Sequence, residues 1–223
     1  MTMPLEDAGL GFDYKWNYGF LNDLMHYLAV DPIERSTFHQ DVTLSLIYAF
    51  YEKYILACTD EYLTKTELDF TSVLDGNGTL LNGKRLLAAF MMMHPGKKEF
   101  SDSFIQDQPG FFETLGAFYK NHPALFENAD SVNSFEWINQ ISANESVLIF
   151  LRKSAEETLI IAVNFAGTSW TNHKIGVPFA GKYRETLNTD AKEFGGKGYI
   201  NAKLLKSKEE ECDARRDSIK INL

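Results

Sequence analysis

The chain has only two cysteines, Cys58 and Cys212, in 223 residues. A scaffold held by disulfides is excluded, and neither residue belongs to a C-x-x-C pair or a Cys/His cluster, so a reduced compartment and a cytoplasmic location are expected. Histidine is also scarce. His26, His39, His94, His122 and His173 are scattered without an i, i+4 pair, which argues against a metal centre, and no metal or other cofactor is expected. Basic charge is in deficit: 22 Lys and Arg stand against 31 Asp and Glu, for a net charge of −9. Such a surface repels phosphate backbones and anionic lipid headgroups, so nucleic acid is not an expected partner. Long apolar runs are missing too. The longest, Leu86 to Met93, falls far below the ~18–20 residues that a spanning helix needs, and the first residues have no basic segment leading into an apolar one. Neither a membrane nor secretion is expected. Phosphate-binding loops, dinucleotide fingerprints, nucleophile elbows, zinc-protease helices and repeats with periods of 20–50 residues are all absent from the sequence.

What is present is apolar material, 44% of the residues with 13% aromatic, enough for one large core or two modest ones. The first half reads as helices and loops. Leu21, Leu24, Met25 and Leu28 recur at helical spacing before Asp31-Pro32, and a second helix starts near Asp41 and carries Val42, Leu46, Ala49 and Phe50. Tyr54 to Ala57 reads as a short buried strand. Residues 61–83 are polar, carry the turn signal Asp75-Gly76-Asn77-Gly78, and read as a long loop. Helices are expected again over 86–93, ending at His94-Pro95-Gly96, and over 110–119, ending before His122-Pro123. The period then changes. Residues 134–138, 147–151, 159–165, 183–187 and 218–221 are β-rich runs separated by polar turns, with Ala180-Gly181 and Gly195-Gly196-Lys197-Gly198 as punctuation. The pattern predicts an antiparallel β-sandwich, expected to bury its own core, after a helix-rich segment, with the division at 1–122 and 123–223.

Several segments carry something more specific. Gly9-Leu10-Gly11-Phe12-Asp13-Tyr14-Lys15-Trp16-Asn17, Asp31-Pro32-Ile33 and Thr43 to Phe50 resemble consecutive segments of the bacterial 1,4-α-glucan branching enzymes of the α-amylase superfamily. The likeness continues through His94-Pro95-Gly96-Lys97-Lys98, Phe118 to Leu125, Phe135-Glu136-Trp137-Ile138, Ile175-Gly176-Val177-Pro178 and Gly181 to Asp190. It covers nearly the whole chain and weakens over 58–83, 99–108 and 206–216. The resemblance implies a fold of mixed class, α/β plus all-β: the C-terminal portion of a (β/α)8 barrel, incomplete, followed by the β-sandwich. A whole barrel takes about 250 residues, more than the chain holds.

By the same resemblance the nucleophile aspartate and the acid/base glutamate belong to earlier barrel strands outside these residues. The family's third carboxylate lies in a serine, histidine, aspartate, glutamate segment; here Cys58-Thr59-Asp60-Glu61 stands in that place. Asp60 matches the aspartate if a one-residue gap is accepted, and the pair Asp60-Glu61 reads equally as a solvated loop. Trp16, with Asp13 and Lys15, matches a segment near the sugar site, where an aromatic face beside hydrogen-bonding groups suits a pyranose; a Trp packed on a helix is the alternative. The eighth barrel strand is expected to be lost or rebuilt, because Glu99 to Ser103 leads almost directly into the next helix. The function implied is that of a branching-enzyme fragment inactive alone, with an α-glucan as ligand and a partner chain as one source of the missing half. A non-catalytic glucan-binding or assembly module is the alternative. Met91-Met92-Met93 and Phe135-Glu136-Trp137 read as core, and residues 203–211 as a solvated charge run.

Overall fold

The structure, a computed structural model, describes residues 15–16, 23, 26, 54–58, 80–95, 97–100, 102–106, 108–127, 131–139, 145–166 and 168–223. The two expected helices before residue 54 lie outside these residues apart from Asp23 and His26, both helical.

Three short strands, β1 (Lys15–Trp16), β2 (Tyr54–Cys58) and β3 (Lys97–Phe100), form a parallel sheet in that order. Parallel neighbours need a crossover, and helix α1 (Leu80–Met93) lies between β2 and β3 in sequence. Leucine, alanine and methionine favour α1, and no β-branched residue opposes it. It stops where the ring of Pro95 forbids a further turn, the His94 amide donating to the Phe90 carbonyl at 3.0 Å. The loop expected over 61–83 therefore gives way to helix by Leu80. Of the two expectations for the eighth strand, lost or rebuilt, β3 agrees with the second. A strand does follow His94-Pro95, and its four residues pair with Ile55 to Cys58. Its own residues, Lys-Lys-Glu-Phe, carry almost no strand signal, so the partner defines it rather than its hydrophobicity.

Helices α2 (Asp102–Gln106) and α3 (Pro109–Asn121) follow. Pro109 opens α3, where its missing N–H costs nothing, and the chain turns through a 3-10 helix at Pro123–Leu125. Then come β4 (Phe135–Asn139), β5 (Val147–Lys153) and β6 (Thr158–Asn164), an antiparallel sheet in that order. Strands β7 (His173–Val177) and β10 (Asp217–Ile221) pair antiparallel with Ile175 opposite Ile219, and β8 (Lys182–Tyr183) pairs with β9 (Leu205–Lys206).

Strand β5 explains the layering. Residues Val147 to Arg152 are all buried, as a strand covered on both faces must be. Its odd residues Val147, Ile149 and Leu151 join Ile138, Ile175, Val177, Ile219 and Ile221 in one core. Its even residues Leu148 and Phe150 join Leu87, Phe90, Met91, Phe111 and Leu115 in the other. The β4–β6 sheet is thus the middle of three layers, with α1 and α3 on one side and the β7–β10 ribbon on the other. The second core draws residues from both sides of the 122/123 division. Met91 and Met93 are buried in it, with Phe135 and Trp137 packed against it.

The strand expected over 183–187 is paired only at Tyr183. Beyond it the segment is held side-on: the Glu185 carboxylate accepts the Asn201 backbone N–H at 3.1 Å, the Asn201 side-chain amide at 2.8 Å and that of Asn188 at 3.1 Å. Strands β7 and β9 carry lysine, histidine and glycine where a strand pattern asks for apolar alternation, and pairing alone reveals them.

Candidate functional site

Strands β1, β2 and β3 run the same way; Cys58 and Phe100 pair at the carboxyl edge, while Trp16, the last residue of β1, is level with Ile55, three residues short of Cys58. In parallel α/β sheets the carboxyl ends of the strands are where ligands bind, because each loop there leaves a strand toward the next helix. Of the residues singled out in the sequence, Lys15 and Trp16 form β1, registered against Tyr54 and Ile55. Asp60 follows the last residue of β2 by two positions and lies outside the described residues, as do Asp13, Thr59 and Glu61.

The layer behind this edge is held by three charged groups. Arg152 is fully buried on β5 and donates to the carbonyl of Met93, the last residue of α1, at 2.8 Å, and to that of Leu125 at 3.3 Å. A cation at a helix C-terminus satisfies carbonyls that have no partner within the helix and opposes the negative end of its dipole. Burial pulls the Arg152 pKa down to about 10, which leaves it charged near neutrality. Arg85 on α1 donates through Nε to the Thr189 carbonyl at 3.1 Å, and through a terminal nitrogen to the Phe194 carbonyl and to Gln108 Oε1. It fastens the 188–198 loop to the helices, and Phe194 of that loop packs edge-on against Phe111. Glu157, in the β5–β6 turn, pairs with His122 at 2.5 Å and accepts the Ala124 N–H at 3.1 Å. Sequence reading passed over all three, because single charges in apolar or turn segments show nothing until folding brings a carbonyl or amide to them.

His94, of the His94-Pro95-Gly96 motif, is buried with Nδ1 2.7 Å from the Pro95 carbonyl, and burial pulls its pKa down to about 3. It is neutral at physiological pH and does not supply protons there. Among the described residues no group of three or more His, Cys, Asp or Glu is placed to hold a metal, and no helix is long and apolar enough to cross a membrane.

The 188–198 loop is built on Asp190. Its carboxylate accepts the backbone N–H groups of Lys197 at 2.9 Å and Tyr199 at 2.8 Å, and its carbonyl accepts that of Gly198 at 2.7 Å. Gly195 and Gly198 adopt φ of 81° and 83°, the left-handed conformation for which glycine is suited. A Cβ on Gly196 would overlap the Asp190 backbone. The glycines read from the sequence as turn residues do serve that purpose, closing a loop rather than a hairpin.

Residues 137–223 match the family described as the alpha amylase C-terminal all-beta domain. Two solved structures share the fold, AmyP in complex with maltose (TM-score 0.52, 9% identity) and a variant of AmyP in complex with maltotriose (TM-score 0.54, 10% identity). Each alignment covers 96% of this chain and 48% of the other. An antiparallel all-β domain of the α-amylase type therefore closes the chain. Beyond that domain, the chain is similar over most of its length to 1,4-α-glucan branching enzymes. It is 34% identical to 1,4-alpha-glucan branching enzyme GlgB of Bacillus caldolyticus over 92% of its length, and 33% identical to that of Desulfitobacterium hafniense over 100%. It spans only 35% and 39% of those two relatives.

Proposed function

We propose that the chain is the C-terminal portion of a 1,4-α-glucan branching enzyme, in which β1, β2 and β3 are late strands of the catalytic (β/α)8 barrel and residues 123–223 the sandwich that follows it. The observation that carries this reading is the parallel β1–β2–β3 sheet, with a helix between its last two strands, directly preceding an α-amylase-type all-β domain. In the reaction a carboxylate attacks the anomeric carbon of an α-1,4-linked chain while a carboxylic acid protonates the departing 4-oxygen. The 6-hydroxyl of an acceptor chain then attacks the glycosyl-enzyme carbon, gives its proton to the same acid/base group and releases the nucleophile. These two carboxyl groups must stand about 5–5.5 Å apart, and in this reading they come from barrel strands outside these 223 residues. Asp60, two residues beyond β2, is the third carboxylate, which steadies the distorted sugar, and Trp16 is the stacking aromatic with Asp13 and Lys15 as polar neighbours.

The chain alone therefore does not branch amylose at any pH, because loop carboxylates at undefined spacing do not replace a paired acid and nucleophile. Joined to the preceding barrel segment of a relative, it introduces α-1,6 linkages detectable by debranching analysis, and Asp60→Asn abolishes them. Branching by the isolated chain that is indifferent to Asp60→Asn would overturn the reading.

A further inference from the structure

β6 is an open edge, because in its sheet it pairs with β5 alone. Along it lies a groove of about 630 Å3, lined by Leu159 to Ala162 of β6 and by residues 182–190. The volume falls within the ~300–1,000 Å3 typical of small-ligand sites. The β6 wall is apolar and half-buried. The rest of the lining is charged. Arg85, Lys182, Arg184 and Lys197 carry positive side chains there, against the carboxylates of Glu185 and Asp190, so cations prevail at this groove in a chain whose net charge is −9.

Both carboxylates hold the loop together, Glu185 through Asn201 and Asn188 and Asp190 through the backbone N–H groups of Lys197 and Tyr199. Arg85 is likewise committed, to the Thr189 and Phe194 carbonyls. Lys182 and Arg184 are not: their side chains make no hydrogen bond or ion pair among the described residues. Exposure alternates along this segment, Lys182, Arg184 and Thr186 being exposed and Tyr183 and Glu185 half-buried. In extended chain that period puts the three exposed side chains on one outer face, while Tyr183 packs on the ribbon core. The β8–β9 pairing adds Lys206, exposed and directly opposite Lys182. Like charges directly across an antiparallel pair repel, and the other registered pair, Tyr183 with Leu205, does nothing to offset this. An anion held between the two ammonium groups replaces that repulsion with two attractions.

We infer that Lys182, Arg184 and Lys206 form a phosphomonoester site at the mouth of the groove along β6, for a small phosphorylated metabolite whose ring-sized body lies against Leu159 to Ala162. Three cations on one face call for a dianion with several acceptor oxygens. A guanidinium fork and two ammonium point charges match phosphate in this way, with the Thr186 hydroxyl as a further donor. The apolar wall and the volume ask for more than inorganic phosphate, and the cationic rim for more than a neutral sugar. Sugar phosphates and nucleoside monophosphates share this chemistry. The site goes beyond the function proposed above and stands whether or not the chain acts on a glucan.

The test is a titration of the isotope-labelled chain, at fixed ionic strength, with glucose 6-phosphate, AMP, inorganic phosphate and glucose, followed by amide resonances. The amides of Ala162, Arg184, Thr186 and Leu205 are expected to shift together along one millimolar isotherm with a phosphomonoester, as a half-open site gives. The tighter of glucose 6-phosphate and AMP identifies the body. Inorganic phosphate binds at least about fivefold more weakly for want of the β6 contact, and glucose leaves these amides unmoved. Arg184→Ala weakens the isotherm at least about fivefold, as the loss of a charge-assisted hydrogen bond does. In Lys206→Glu the new carboxylate pairs with Lys182 in place of the ligand, so that chain melts no lower than the parent and its response to either phosphomonoester disappears. Both substitutions are on exposed side chains and leave the cores intact. Inorganic phosphate binding as tightly as the esters, the same amides shifting with glucose, an Arg184→Ala or Lys206→Glu isotherm equal to the parent's, or no shift with any probe would each overturn the proposal.

Discussion

The two faces of the β4–β6 sheet are packed with different chemistry. Toward the ribbon the core is aliphatic, Val147, Ile149 and Leu151 against Ile175, Val177, Ile219 and Ile221. Toward the helices it is aromatic and sulfur-rich: Phe150 meets Phe90 at a ring-centroid distance of 6.4 Å, Phe135 at 5.2 Å and Trp137 at 5.9 Å, and Phe90 also stands edge-on to Phe165 at 5.4 Å. Packed sheets keep a nearly constant spacing of about 10 Å, which β-branched side chains of even size fill. A helix crossing a twisted sheet leaves gaps of varying depth, and large rings and flexible methionines suit them. The sheet-facing core comes entirely from residues 138–221, whereas the helix-facing core cannot exist without α1 and α3.

That contrast is open to attack at several strengths. Residues 126–223 expressed alone keep the aliphatic core but leave Leu148, Phe150 and Val163 without α1, so they are expected to lose the cooperative melt that residues 80–223 retain; equal melts would erase the distinction. Next, Phe150→Ala should cost about 4 kcal/mol and Ile149→Val about 1 kcal/mol in urea unfolding. A reversed order would show that the ribbon side dominates. Arg152→Met removes the donor to the Met93 and Leu125 carbonyls and should cost about 3 kcal/mol, since two buried acceptors lose their partner. A neutral effect would mean that α1 is not tied through its C-terminus.

A further effect is one of pH. His94 has a folded pKa of about 3 against an ordinary value near 6.5, so the unfolded chain takes up a proton that the folded chain refuses. Its contribution is fully present above pH 6.5 and declines as pH falls toward 3. Between pH 7 and pH 5 it amounts to about 2 kcal/mol. His94→Gln should flatten that part of the stability profile, and an unchanged slope would remove His94 as its source.

The apolar run Val147 to Leu151 was legible as a strand because every residue in it is buried, and the 110–119 helix because Pro109 and Pro123 bracket it. The 183–187 run was misleading, since Tyr, Thr and Leu carry strand propensity while Glu185 spends its carboxylate on Asn201 and Asn188. Strand β3 was only half legible for the opposite reason, having a partner without having a pattern. The reading of Trp16 as a sugar-site aromatic rests on its neighbours in sequence, and the structure adds only its pairing with Ile55 of β2.

Hydrophobic period, proline and glycine positions and family likeness were carried by the sequence alone, because each depends on residues close along the chain. The union of helices and sandwich over one sheet, the grip of Arg152 and Arg85 on distant carbonyls, and the groove beside β6 were decided only by tertiary structure. Each needs groups tens of residues apart, and a charge, a carbonyl or an unpaired strand edge has no signature until its partner arrives or fails to.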